Sequence, residues 1–310
     1  MTKTFSLALI LAVLALASPA QAQPRFTPTP LPQTPEEVRA KLSFSTTPGR
    51  LFPGWPMVVT VYLRLLPSAE DEAKPGVARS LVVTSRTDNL SPLVRFELAR
   101  FNETLKRRVV TPLRLRYLGG SPRQVSLQPG AARILIGHFG LTEQETAALA
   151  LVPGSYIFRA HFDSRSDTQE ESWKGTAFVG EELQVHTQPS ELDANLECEK
   201  VLATREYLRA TGAAREALDV LDSFLARTPE TLAMLCWAER AALYEQAGNT
   251  VASMEAYCKA ARAEGLLIDE AVQRNQMNGN RATISEPQYE PRCHQLKREL
   301  TKSAPPAKSP

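Results

Sequence analysis

The chain has 310 residues, 43% of them hydrophobic, and its 36 Lys and Arg against 34 Asp and Glu leave a formal charge of +2. So even a balance argues against a surface that holds nucleic acid or anionic lipid by bulk charge. The length suits two domains of ordinary size.

The first residues carry the three parts of a secretory signal. Lys3 supplies the positive start, Phe5 to Ala17 is an almost unbroken apolar run, and Ser18-Pro19-Ala20-Gln21-Ala22 ends in a small-x-small pattern. Residues 1–22 are therefore expected to be removed, with Gln23 as the first mature residue. The apolar run is shorter than the roughly 20 residues of a membrane span, which disfavours an uncleaved anchor. With no cysteine directly after it at the cleavage region, a lipoprotein anchor is excluded. No later run reaches spanning length, so no integral membrane segment is expected after cleavage. The destination is the periplasm or the medium.

Residues 23–35 form a proline-rich lead-in that cannot hold regular structure. From 36 to 188 the period is two. Val58-Val59-Thr60-Val61-Tyr62-Leu63-Arg64-Leu65 follows a Pro53-Gly54 turn and is rich in β-branched residues. Further strands are expected at 41–46, 78–85, 92–100, 108–117, 123–127, 132–138, 155–163 and 173–186. Turns fall at Pro75-Gly76, Gly119-Gly120, Pro129-Gly130 and Pro153-Gly154, and one short helix at 141–150. This spacing predicts an antiparallel all-β sandwich rather than alternating strand–helix units. Leu151-Val152-Pro153-Gly154-Ser155-Tyr156-Ile157-Phe158-Arg159-Ala160 resembles the loop-to-strand entry of bacterial immunoglobulin-like and fibronectin-like domains. The resemblance covers the region loosely and this segment sharply. It implies that Tyr156 packs its ring in the core and caps nearby backbone with its hydroxyl. All four cysteines lie further on, so the inter-sheet disulfide of antibody domains is absent.

From 192 to 302 the period is helical, with a boundary expected at Pro189-Ser190. Gly212 is followed by Ala217, Leu221, Phe224 and Pro229, and Gly248 by Ser253, Tyr257 and Ala260, at matching offsets. Trp237, Ala241 and Tyr244 precede Gly248; Val201, Arg205 and Leu208 hold the same places before Gly212. These positions resemble two tetratricopeptide repeats spanning about 198–267. The glycines stand 36 positions apart, two more than the family period. Two repeats leave an open apolar face on the last helix. Cys293, Leu296 and Leu300 form a stripe on a helix over 291–302 that is suited to cover it. Residues 273–290 are expected as an irregular loop, and 303–310 as a disordered tail.

Cys198, Cys236, Cys258 and Cys293 in an exported protein favour two disulfides, with free buried thiols and a zinc site as alternatives. Repeat geometry favours Cys198–Cys236, at the starts of neighbouring first helices, and Cys258–Cys293, between the last repeat and its cap. Cys236–Cys258 is the main rival.

Catalytic signatures are missing: the chain holds no G-x-S-x-G, H-E-x-x-H, phosphate loop or G-x-G-x-x-G. His138, His161 and His186 fall in expected strands and His294 in the cap helix. His161 and Asp163 share a strand face, the nearest thing to a catalytic pair. Asp163, Asp167, Glu170 and Glu171 read as a solvated acidic hairpin tip rather than a hard-cation site. Asn89-Leu90-Ser91 and Asn102-Glu103-Thr104 fit the glycosylation sequon but carry little weight. No catalytic, cofactor or metal residue is assigned. The family resemblances imply an exported, non-enzymatic protein–protein interaction or assembly module. The alternatives are a hydrolase centred near His161 and Asp163, or an adhesive, glycan-binding component.

Overall fold

The computed structural model describes residues 39–67, 80–102, 106–166, 168–187, 191–277 and 287–303. The signal, the lead-in, most of the tail, the Pro75-Gly76 turn and the Pro189-Ser190 boundary lie outside these residues.

Period-two segments form β1 (Ala40–Thr47), β2 (Met57–Leu65), β3 (Leu81–Thr84), β4 (Val94–Asn102) and β5 (Arg107–Leu113). They continue as β6 (Arg116–Gly119), β7 (Gln124–Leu127), β8 (Ile134–Leu141), β9 (Gly154–Asp163) and β10 (Thr176–Val185). Every ladder between them is antiparallel. One sheet has the order β1-β2-β8-β6, a second β10-β9-β4-β5, and β3-β7 is a separate ribbon. The stretch expected as one strand over 108–117 is two, because the chain changes sheets there: β5 pairs with β4 and β6 with β8. Alternation alone is blind to which sheet supplies the partner.

The core fills from alternate residues of both four-stranded sheets, Val59, Val61, Leu63 and Phe139 from one, Leu98, Phe158 and Phe162 from the other. Phe158 meets Phe44 edge-on at 5.0 Å and stacks on Phe96 at 5.7 Å. Tyr156 is buried after the Pro-Gly turn, and its hydroxyl donates to the Val152 carbonyl at 2.9 Å.

The expected helix at 141–150 is α1 (Glu143–Ala148). It opens with a capping box in which Thr142 Oγ1 accepts from Glu145 N–H and the Glu145 carboxylate accepts from Thr142 N–H. That backbone bond holds the Glu145 carboxyl below its ordinary range.

Helices follow as α2 (Ala194–Ala210), α3 (Ala214–Arg227), α4 (Met234–Gln246), α5 (Thr250–Met277) and α6 (Glu290–Ser303). Asp193 caps α2, accepting from Asn195 and Leu196 N–H. Gly212 and Gly248 follow the ends of α2 and α4 at φ of 85° and 73°, left-handed values that a side chain strains. α5 extends to Met277, past the start at 273 of the stretch expected to be irregular; residues 278–286 of that stretch lie outside the described residues. The sequence from Ala271 to Met277 has no Gly or Pro, and nothing in it breaks a helix before Asn278-Gly279. α6 begins at Glu290, one residue before the proline expected to start it.

Candidate functional site

The helical region is built around small residues and its cysteines. Ala217, Leu221 and Phe224 of α3 are buried against α2, and Ala241, Ser253 and Ala260 are buried where α4 meets α5. Ser253 Oγ donates to the Ala241 carbonyl at 3.1 Å, which needs a close approach of the two helices. Trp237, Tyr244 and Tyr257 are half-buried. Lys259 sits 4.4 Å over the Trp237 ring and Arg240 4.2 Å over Tyr244, while Tyr257 donates to Glu245. Burial and that carboxylate raise the Tyr257 phenol above its ordinary pKa.

Two disulfides join Cys198 to Cys236 and Cys258 to Cys293. The first is fully buried between α2 and α4; the second ties α6 across α5. Beside that bridge the buried Glu264 carboxylate accepts from Gln288 N–H at 2.8 Å and Tyr289 N–H at 3.0 Å, just ahead of α6. A carboxylate there satisfies two backbone donors and faces the positive end of the helix dipole. No sequence motif pointed to Glu264, because its partners lie 24 and 25 residues away.

The face of α2 turned away from its own hairpin rests on the first sheet. Val58 and Thr60 point out of that sheet yet are buried, since α2 packs across β2. Two glycines make room. A Cβ at Gly140 would sit 3.2 Å from the Tyr207 ring, and one at Gly119 would sit 3.1 Å from the Ala210 carbonyl oxygen. The contact is polar at its rim: Arg50 grips Glu199 with two bonds of 3.0 and 2.5 Å, and Lys200 lies 3.3 Å from Glu143. Glu199 raises the Arg50 pKa. His138 sits here too, its Nδ1 3.0 Å from Thr60 Oγ1. Burial, then the charge of Arg209, lowers its pKa, against a smaller opposing pull from Glu206.

The second sheet turns its outer face to solvent, and here lies the histidine that the sequence singled out. His161 and Asp163 share this face, but each has another partner. The Asp163 carboxylate takes a fork of bonds from the Arg165 guanidinium, 2.9 and 2.7 Å, which lowers its pKa. His161 Nε2 lies 3.3 Å from Glu97 Oε1, on the neighbouring strand, in a poor geometry for a hydrogen bond. Glu97 also accepts from Arg159 at 3.0 Å and is almost fully buried. His161 stacks loosely on Phe178, which is 65% exposed. Among the described residues no serine or cysteine is hydrogen-bonded to His161.

The loop after β9 keeps its acidic residues Glu170 and Glu171 in solvent but folds several of its other polar side chains inward. Ser164, Thr168 and Ser172 are buried, Thr168 Oγ1 donates to the Ser164 carbonyl at 2.6 Å, and Lys174 Nζ ties Thr168 and Gln169 together. Glu170 and Glu171 remain exposed; Asp167 lies outside the described residues. Among the described residues no group of three or more His, Cys, Asp or Glu is placed to hold a metal. At the first sequon Asn89 Oδ1 accepts from Ser91 N–H, closing a local turn.

No protein-family model matches the chain, and no curated protein does. Solved structures resemble it only weakly. The sporulation control protein Spo0M of Bacillus subtilis is 14% identical over 55% of this chain and 56% of its own, with a TM-score of 0.29. A β-glucosidase of Listeria innocua is 16% identical over 48% of this chain and 16% of its own, with a TM-score of 0.23. AggA, the major subunit of aggregative adherence fimbriae of Escherichia coli, is 11% identical over 48% of this chain and 95% of its own, at 0.22. The chain thus spans about half of Spo0M and a sixth of the glucosidase, and similarity at this level carries no functional argument.

Proposed function

We propose that the protein is an exported, non-enzymatic interaction or assembly module, an immunoglobulin-like β-sandwich followed by two tetratricopeptide-type repeats and a cap helix. The observation that carries this reading is the repeated burial pattern of the two helical hairpins. Positions five and twelve after each glycine, Ala217 and Phe224 in one and Ser253 and Ala260 in the other, are all buried. Export is supported by the secretory pattern of residues 1–22 and by two disulfides, which persist in oxidising compartments. Among the described residues no helix is long and apolar enough to cross a membrane.

Repeats of this kind generally offer the surface of their first helices to a partner. Here the β-rich region already occupies one face of α2. Partner contact therefore falls to α4 and to the open parts of the β-rich region. The test is affinity purification of the full chain from periplasmic and secreted fractions after cross-linking, run beside a broad hydrolase screen. A reproducible protein partner with no turnover is the expected result. Hydrolysis abolished by His161→Ala, with no fall in melting temperature, would replace this reading with an enzyme.

A further inference from the structure

β5 is an open sheet edge. It pairs with β4 on one side, and among the described residues no backbone group of 107–113 has a partner on the other. Several other edges are covered at least in part. Beyond β10, Leu51 N–H donates to the Gln184 carbonyl and His186 N–H to the Leu51 carbonyl. β3 is covered by the loop at 169–173, where Trp173 N–H reaches the Val82 carbonyl at 2.7 Å and Gln169 N–H the Thr84 carbonyl at 3.0 Å. β6 lies against α2. An uncovered edge is a template for another strand, and folded proteins commonly block such edges.

We propose that β5 accepts an extended acidic segment of a partner protein as an added strand; this rests on the interaction reading above and names its partner class. Seven residues at roughly 3.3 Å each give about 23 Å of edge, and Pro112 removes only one donor near its end. The chemistry at the edge is specific. Arg107 and Arg108 are both exposed and, being adjacent in a strand, project to opposite faces. An incoming strand therefore meets a guanidinium on each side, which favours Asp or Glu on both of its faces. Val109 is exposed behind them and Val110 half-buried, so the middle of the added strand is apolar. Phe101, 49% exposed and registered opposite Arg108, extends the apolar surface on one face. A second copy fits worse. Antiparallel self-pairing centred on Val110 sets Lys106 opposite Arg114, cation against cation.

The full chain is titrated with a fluorescent peptide, Asp-Glu-Val-Thr-Val-Thr-Val-Glu-Asp. Controls are the same peptide with its acidic residues changed to Lys, and the acidic peptide N-methylated at alternate residues so that it cannot pair. Binding of the acidic peptide alone is expected, weakening with salt and falling at least about tenfold in the R107E/R108E double variant. Both arginines are exposed, and far-UV circular dichroism checks the fold of the variant. Equal binding of the N-methylated or the basic peptide, or no binding at all, overturns the proposal. So does a dimer in sedimentation that R107E/R108E dissolves, because the edge then belongs to a second copy. If wild type and R107E/R108E capture the same partner equally from secreted fractions, the β5 proposal falls while the interaction reading stands.

Discussion

The β-rich and helical regions reach stability by different means. The first buries a continuous set of large side chains, with Trp55, Phe158, Phe162 and Met57 among those fully enclosed, and contains no cysteine. The second has a compact core of Cys198, Leu221, Phe224, Leu225, Ala233 and Cys236, filled out by half-buried neighbours such as Val201 and Trp237. All four cysteines are there, linked in two bridges. With so few large side chains in that core, the two cross-links add constraint by restricting the unfolded chain. The two cores share no residue, and Arg50–Glu199 and Lys200–Glu143 at the junction are ion pairs.

The sharpest way to break this contrast is to reduce both bridges. Each closes a loop of 35 to 38 residues and contributes about 3–4 kcal/mol in the chain-entropy model. Fragment 190–302 is expected to give a helical circular dichroism spectrum when oxidised and to lose it in dithiothreitol. Fragment 36–188 should give a β-type spectrum that dithiothreitol leaves unchanged. If neither fragment folds while the full chain is stable, the regions depend on one another and the comparison fails.

Phe158→Ala is the counterpart in the other region. It empties a fully buried site between two aromatic neighbours and should cost about 3–5 kcal/mol, read by denaturant titration of fragment 36–188. Melting of the helical fragment is the control for the same substitution made in the full chain. A loss below about 1 kcal/mol would mean that the sheets do not share the core described above.

A smaller effect is expected from Glu264→Ala, which leaves the Gln288 and Tyr289 N–H groups without acceptors, roughly 1–3 kcal/mol. The Cys258–Cys293 bridge still tethers α6, so the loss should appear as faster hydrogen exchange over 288–296 rather than global unfolding. Unchanged exchange there would show that the bridge alone holds the cap.

The smallest effect joins the two regions. The folded pKa of His138 lies below the ordinary value of about 6.5, so the unfolded state binds the extra proton first. Its contribution is fully present above about pH 6.5 and is lost as pH falls from there through the folded value. His138→Asn should flatten the pH dependence of melting between pH 7 and 5 in the full chain. An unaltered slope would assign that dependence to other groups.

What the sequence determined by itself was largely local. The change of period near 190, the α1 helix, the glycines ending α2 and α4, and the stripe of Cys293, Leu296 and Leu300 all depend on residues close in the chain. The disulfide partners named from repeat geometry are those the structure joins, since neighbouring helices bring the same positions together. Tertiary structure decided the rest. It turned 108–117 into strands of two different sheets and drew His161 toward Glu97, 64 residues away in the chain, rather than Asp163. It folded the acidic loop onto β3, laid α2 on the first sheet and, among the described residues, gave β5 no strand beyond β4. Each of these depends on which distant segment arrives beside a residue, and alternation, helical period and charge count describe only the residue's own neighbourhood.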